Sequence, residues 1–418
     1  MIVFQAFNSE RPPQPRTSAT GVARDTTTDQ VTVGLVGCIF AVSGPTAIML
    51  AVGNQAGLAH GELASWLFGA FFINGLISLI MCCIYRQPLV FLWSIPGIVL
   101  VGPALEHMSF AEVLGAYYAA GAAMLILGLS GWVRRIMDAI PLPIVMGMVA
   151  GVFLQFGLDW IKAFTTAPVI AISMTAAFFA TTAIPAINNR VPPLIVAIAI
   201  GALCVASFGD GPDMAEMSLM LATPVFQVPA FSWQAILELV VPLMITVLAA
   251  QNSQGITVLT VAGHRPPINT ITFVCGIGSL VTATVGTVST CLTGPLNAIL
   301  SGGGTAREGQ YTAALIACIG AILFGLFAPF FTSLMLATPI EFLATLAGIA
   351  LLNVLRGAFT AAFRGDFAMG GLIAFMFTVS DISLFNIGSP FWGLMFGFAT
   401  SWILERHDFE AHRPRASS

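Results

Sequence analysis

The stretch Gln87-Pro88-Leu89-Val90-Phe91-Leu92-Trp93-Ser94-Ile95-Pro96-Gly97-Ile98-Val99-Leu100-Val101-Gly102-Pro103-Ala104-Leu105-Glu106 decides the fold. It carries no charge before Glu106, and its length allows a single crossing of a bilayer core, which needs roughly 20 residues. Yet Ser94-Ile95-Pro96-Gly97 interrupts its middle. Proline is best tolerated in the first turn of a helix, so Pro96 reads as the start of a half-helix preceded by the extended run Val90-Phe91-Leu92. About two hundred residues later, Thr287-Val288-Ser289-Thr290-Cys291-Leu292-Thr293-Gly294-Pro295 repeats the device, ahead of Ser301-Gly302-Gly303-Gly304. Both crossings are expected to be half strand and half helix.

The rest of the chain is a setting for such elements. Its 418 residues include only 15 Lys and Arg and 19 Asp and Glu, with 57% apolar residues and a mean hydropathy of +0.92. A soluble domain carries roughly 25% charge. Uncharged stretches such as Gln30–Gly61, Ala163–Asn189 and Pro266–Thr305 exceed the length of a crossing. The class is therefore an all-α polytopic membrane protein, embedded in a lipid bilayer. Charge clusters read as loops give about fourteen transmembrane segments: 31–53, 63–84, 88–105, 112–132, 140–158, 166–187, 191–207, 234–253, 268–285, 287–303, 310–333, 339–355, 367–381 and 388–404. With the N-terminus inside, all fourteen arginines fall on the cytoplasmic side and only Lys162 falls outside, as the positive-inside rule predicts. Trp66, Trp160, Trp233 and Trp392 lie near outer ends and Trp132 and Trp402 near inner ends, whereas Trp93 falls inside a span.

Spans three and ten, four and eleven, five and twelve, and seven and fourteen are offset by about 200 positions, and Ala150-Gly151-Val152-Phe153-Leu154 is echoed by Ala347-Gly348-Ile349-Ala350-Leu351. Seven helices per half make the second half inverted, an architecture of many secondary transporters, whose binding sites lie at short Gly/Pro-interrupted segments of the two halves. The expected layout is a disordered cytoplasmic tail over 1–29, a core of spans one to four (30–133) and eight to eleven (231–335), a gate of spans five to seven (134–230) and twelve to fourteen (336–404), and a second cytoplasmic tail over 405–418.

Spans three and ten run in opposite senses, so both half-helix N-termini face each other near the midplane. Their unpaired N–H groups and positive dipole ends form an anion site without a basic side chain. The candidate substrate contacts are Trp93, Ser94, Ile95, Pro96 and Gly97 in span three, and Thr293, Gly294 and Pro295 in span ten. Span eight adds Gln251 and Asn252, amides that lipid would not solvate, and span one adds Gly44 and Pro45, a small bent stretch. Glu238 and Asp381, near the outer portions of spans eight and thirteen, are the proton-coupling candidates, since burying either charge favours protonation or pairing. His60, His107 and His264 are expected to be solvated at helix ends. Asn252→Ala and Gly97→Val are expected to abolish uptake while leaving folding and membrane insertion intact.

Other classes are excluded. A net charge of −4 without a basic patch gives nucleic acid no footprint. The seven cysteines sit in apolar runs without metal-ligand spacing and read as packing residues. Clustered acids, a metal set or a nucleophile paired with a base are missing, so no enzyme chemistry, metal or cofactor is expected.

Trp93-Ser94-Ile95-Pro96-Gly97, Ala250-Gln251-Asn252 followed by Gly255, Ile140-Pro141 through Ala150-Gly151, and Asn386-Ile387-Gly388-Ser389-Pro390-Phe391-Trp392-Gly393-Leu394 resemble the benzoate/proton symporter (BenE) family from about Thr32 to Leu404. The resemblance implies the fourteen-helix inverted repeat shared with nucleobase permeases and sulfate-type anion permeases. It also implies uptake of an aromatic carboxylate with a proton across a bacterial inner membrane, with Ser94, Pro96, Gly97, Gln251 and Asn252 lining the site. The chain departs from the family in span ten, where Leu292-Thr293-Gly294-Pro295-Leu296-Asn297 replaces an alanine-rich run. A nucleobase permease, an anion channel and an anion exchanger are the alternatives on the same fold. Gly- and Phe-rich spans twelve to fourteen would support a homodimer.

Overall fold

The computed structural model describes residues 10–12, 17–42, 44–139, 141–185, 191–207, 219–302, 306–382, 384–385 and 387–411. Ser43, Ile140, Arg190, Gly303 and Asn386 of the sequence reading lie outside them, as do Arg16, Arg413 and Arg415. Helix dominates. Among the described residues, seven helical stretches are long and apolar enough to cross a membrane: Thr28–Gln55, His60–Tyr85, Phe110–Ser130, Leu142–Thr166, Trp233–Val261, Arg307–Leu326 and Ile340–Phe363. These fall on predicted spans one, two, four, five, eight, eleven and twelve. Shorter apolar helices, Pro168–Ala183, Pro193–Ser207, Ile268–Ala283, Ala368–Val379 and Ser389–Leu404, fall on spans six, seven, nine, thirteen and fourteen.

Spans three and ten are the half-and-half elements read from the sequence. Strand β1 (Phe91–Trp93) precedes helix Ile95–Leu105, and strand β2 (Thr290–Leu292) precedes helix Gly294–Ser301. The strands pair antiparallel, Phe91 with Leu292, Leu92 with Cys291 and Trp93 with Thr290. Two strands leave two outer edges, and an unsatisfied backbone group costs several kcal/mol in hydrocarbon. Side chains fill these edges symmetrically. Ser78 Oγ accepts from the Phe91 N–H (2.7 Å), and Ser279 Oγ accepts from the Thr290 N–H (3.0 Å). Each serine also donates to the carbonyl four residues back in its own helix.

Two helix groups pack around this seam. Span nine lies on span four, and span eleven lies on spans one and two. Separately, span five packs on spans twelve and thirteen, span thirteen on fourteen, and span six on seven. Glycines permit the closest approaches: a Cβ on Gly147 would stand 2.1 Å from the Gly371 carbonyl oxygen, and one on Gly128 2.5 Å from the Phe273 nitrogen.

Two expectations are corrected, the disorder of the segment 1–29 and the extent of span eleven. Residues 19–25 form a helix capped by Ser18, and Asp25 anchors it through Arg86 (2.8 Å) and the Tyr311 hydroxyl (2.9 Å). Tyr311 above all, then Arg24 and Arg86, holds the Asp25 carboxyl below its usual range. Upstream, Glu10 accepts the N–H groups of Asn269 and Thr270 at the start of span nine. At the other end, Arg406–Ala411 is helical, and Glu405 and Asp408 cap the start of span thirteen. Span eleven stops at Leu326, and Ala328–Leu336 is a separate helix begun by Pro329.

Candidate substrate-binding site

The two half-helices begin on one cavity of 830 Å³ between the helix groups, with Ile95, Pro96 and Pro295 in its wall. It runs toward the face that carries the N-terminal segment, where Leu142, Pro192 and Gly357 border it. Its apolar surface is partly aromatic, from Phe40, Phe153 and Phe178, while Gln251, Gln254 and Asn353 bring three carboxamides. Among the described residues, no charged side chain lines it. A second cavity of 570 Å³ opens on the opposite face, bordered by Glu106, Asp159 and Asp381. Ile95 and Phe153 border the first, and Val99 and Val152 the second, so spans three and five form the septum between them.

The half-helix starts differ in a way that matters for an anion. Ser94 is a true N-cap, its Oγ accepting from the Gly97 N–H at 3.1 Å, a contact worth about 0.5–2 kcal/mol. Thr293 makes no side-chain cap on span ten. That terminus therefore keeps more of its donor capacity for a ligand. Gly294 is covered by Gln254, whose Cδ would lie 2.5 Å from a Cβ there. Helix dipoles add about 0.3–1 kcal/mol for an anion, and up to about 2 kcal/mol where partly buried.

The span-eight amides separate in role. The helix becomes a π-helix over Thr246–Asn252, a local widening common at functional sites. Gln251 reaches the cavity. Asn252 is wholly buried behind it and holds the seam, its Oδ1 accepting from the Leu292 N–H at 2.8 Å and its Nδ2 lying 3.5 Å from Cys275 Sγ. Removing the side chain in Asn252→Ala orphans a buried strand N–H, at about 1–3 kcal/mol. A drop in the thermal unfolding temperature of the detergent-solubilised protein is the expected readout, and an unchanged midpoint would sink this assignment.

The other candidates are placed as follows. Trp93 is buried in β1 against Phe71, edge to face. Gly97 is buried beside Ser94 and Leu243. Gly44 begins the second helical piece of span one and Pro45 is its second residue; Pro45 is not in the cavity wall, whereas Phe40 is. Glu238 lies apart from the cavity, 4% exposed, with its Oε2 3.1 Å from His107 Nε2. A Cβ on Gly388, at the start of span fourteen, would lie 2.6 Å from Glu238 Oε1. Asp381 is exposed in the opposite-face cavity, on a left-handed turn (φ 53°). His264, expected in solvent, is buried against Gln310 at 2.7 Å, and burial holds its pKa below the usual value. Asn353 and Gln254 are the cavity carboxamides the sequence reading did not select. Gln254 belonged to a visible amide cluster, while Asn353 stood alone in an apolar span.

Among the described residues, no group of three His, Cys, Asp or Glu side chains could hold a metal. Converging half-helices, paired strands and two cavities divided by a septum define a membrane transporter fold. Solved structures with this fold include the transmembrane domain of a cyanobacterial bicarbonate transporter, BicA, with TM-score 0.64 and 16% identity over 92% of this chain and 99% of that one. The murine Slc26a9 anion transporter in the inward-facing state matches with TM-score 0.61 and 14% identity, over 97% of this chain and 75% of that one. The chain belongs to the BenE family, benzoate membrane transport proteins, whose profile matches residues 24–403. Its relatives include the benzoate membrane transport protein of Acinetobacter baylyi, 27% identical over 89% of this chain and 94% of that protein, and the inner membrane protein YdcO of Escherichia coli, 28% identical over 87% and 93%. It is a transport protein and not an enzyme.

Proposed function

We propose that the chain imports a small aromatic carboxylate, benzoate or a close derivative, by proton symport across a bacterial inner membrane. The observation that carries this reading is a cavity with aromatic walls and carboxamides, and with no charged side chain among the described residues that line it, into which two half-helices start. Such a site offers partial positive charge to a carboxylate and apolar surface to a ring, and it releases its ligand more readily than a salt bridge would. The names of the two relatives support the substrate and the membrane.

In this reading the chain crosses the bilayer fourteen times as two inverted seven-span halves with both termini cytoplasmic. Residues 30–133 and 231–335 act as the core, and 134–230 and 336–404 as the gate. The larger cavity then opens inward, and alternating access moves the core against the gate so that the septum of spans three and five opens to the other side. Glu238, bridging His107 of the core and the start of span fourteen in the gate, is the coupling group. Proton and substrate are linked through their separate preferences for the two states.

The test is uptake of radiolabelled benzoate into proteoliposomes under an inward proton gradient, with and without a protonophore. Accumulation that the protonophore collapses and that unlabelled aromatic acids block is the expected result. Block by uracil or sulfate instead would move the assignment to a nucleobase permease or an inorganic-anion carrier, and flux indifferent to protons would favour a channel or exchanger.

A further inference from the structure

The gate side of the cavity is apolar apart from a few groups, and one of them has no structural employment. Asn353, in span twelve, is exposed to the cavity beside Ile349, Ala350 and Val354. Among the described residues its carboxamide has no hydrogen-bond partner in the protein. Thr182, by contrast, satisfies its hydroxyl proton on the Phe178 carbonyl at 2.7 Å.

The helix does not need an amide there. With the offset that aligns Ala150-Gly151 with Ala347-Gly348, the equivalent of Asn353 in span five is Phe156. An apolar residue therefore serves the same place in the repeat. An amide in a membrane segment is expected to find a partner, and here the facing volume is the substrate cavity. Unsubstituted benzoate, its carboxylate held by the half-helices, turns only C–H edges toward such an amide. A cavity of 830 Å³ also lies in the range that takes drug-sized ligands.

We infer that Asn353 is a specificity-determining residue that selects aromatic carboxylates bearing a ring hydroxyl, which would donate to Oδ1 or accept from Nδ2. The inference rests on the carboxylate-transport reading above and narrows its substrate class. Sites that hydrogen-bond a substrate hydroxyl discriminate strongly against an analogue lacking it, because the site's own polar group is then left unpaired.

The experiment is competitive counterflow in proteoliposomes loaded with benzoate, comparing 2-, 3- and 4-hydroxybenzoate with the methylbenzoates of the same shape. The wild type is expected to favour at least one hydroxybenzoate over its methyl counterpart by about tenfold or more. Asn353→Leu, close in volume but unable to hydrogen-bond, is expected to bring that ratio to about one or invert it, and Asn353→Gln to restore part of it. Ratios within one preparation do not depend on how much of the variant folds, and the wild-type ratio needs no variant. Benzoate exchange with a wild-type ratio of one, or with a preference that survives Asn353→Leu, overturns this inference and leaves the transport reading standing. If folded wild-type protein exchanges none of these acids, the transport reading falls and takes this inference with it.

Discussion

Gly97→Val is expected to lower benzoate uptake by about two orders of magnitude, the scale of loss when bound groups are displaced by about an ångström. A single Cβ at Gly97 would stand 3.0 Å from Ser94 Cβ, 3.1 Å from Ser94 Oγ and 3.3 Å from Leu243 Cδ2. Valine adds two methyl groups to that position. The first casualty is the cap, because Ser94 Oγ holds the Gly97 N–H and sits where the new side chain must go. With the cap displaced, the half-helix start that Pro96 brings to the cavity turns away from its partner at Pro295. Overpacking of this kind costs about 1–3 kcal/mol, which a large membrane domain can survive. Initial uptake rates should be read beside the elution profile of the purified variant, with Gly97→Ala as the milder step. Full transport by a correctly folded Gly97→Val protein would remove the half-helix start from the substrate site.

The second large effect is expected at Glu238→Gln. Glutamine keeps the shape and can still hydrogen-bond to His107, but it cannot bind and release a proton. The variant should lose the accumulation driven by a pH gradient while keeping benzoate–benzoate exchange, since exchange needs no net proton movement. Asp381→Asn, altering an exposed carboxylate on a turn, should leave most of the accumulation in place. Protonophore-sensitive accumulation by Glu238→Gln at the wild-type level would falsify Glu238 as the coupling group. Loss of both accumulation and exchange would mean that the His107–Glu238 contact holds the fold together and that coupling lies elsewhere.

The seam was legible because its signals are local. Pro96 and Pro295 start helices, extended residues precede them, and the same grammar recurs at a fixed offset. What stayed hidden depends on partners far away in the chain. An amide in a membrane segment announces that it has a partner but not which one, so Gln251 and Asn252 looked alike although one borders the cavity and the other fastens Leu292. The helix over Ala19–Asp25 is too short to show a periodic pattern, and its anchor is Tyr311, on the other half of the protein. His264 looked like a loop residue because nothing near it in sequence reveals Gln310. The π segment over Thr246–Asn252 has no sequence signature at all, since its residues read as ordinary apolar helix until the amides.

The pairing of β1 with β2 also has a consequence for how the protein is made. Phe91 emerges from the ribosome about 200 residues before Leu292, its neighbour in the sheet. Throughout that interval the first strand has no partner for the edge that β2 will occupy, and hydrocarbon offers its N–H and C=O groups none. Span three therefore cannot settle in its final place as it is inserted. It has to wait in a wetter setting, at the lipid surface or against the insertion machinery, until the second half arrives. Chains arrested before span ten should consequently leave residues 87–105 open to water-soluble thiol reagents at single introduced cysteines, and release of the full chain should close them.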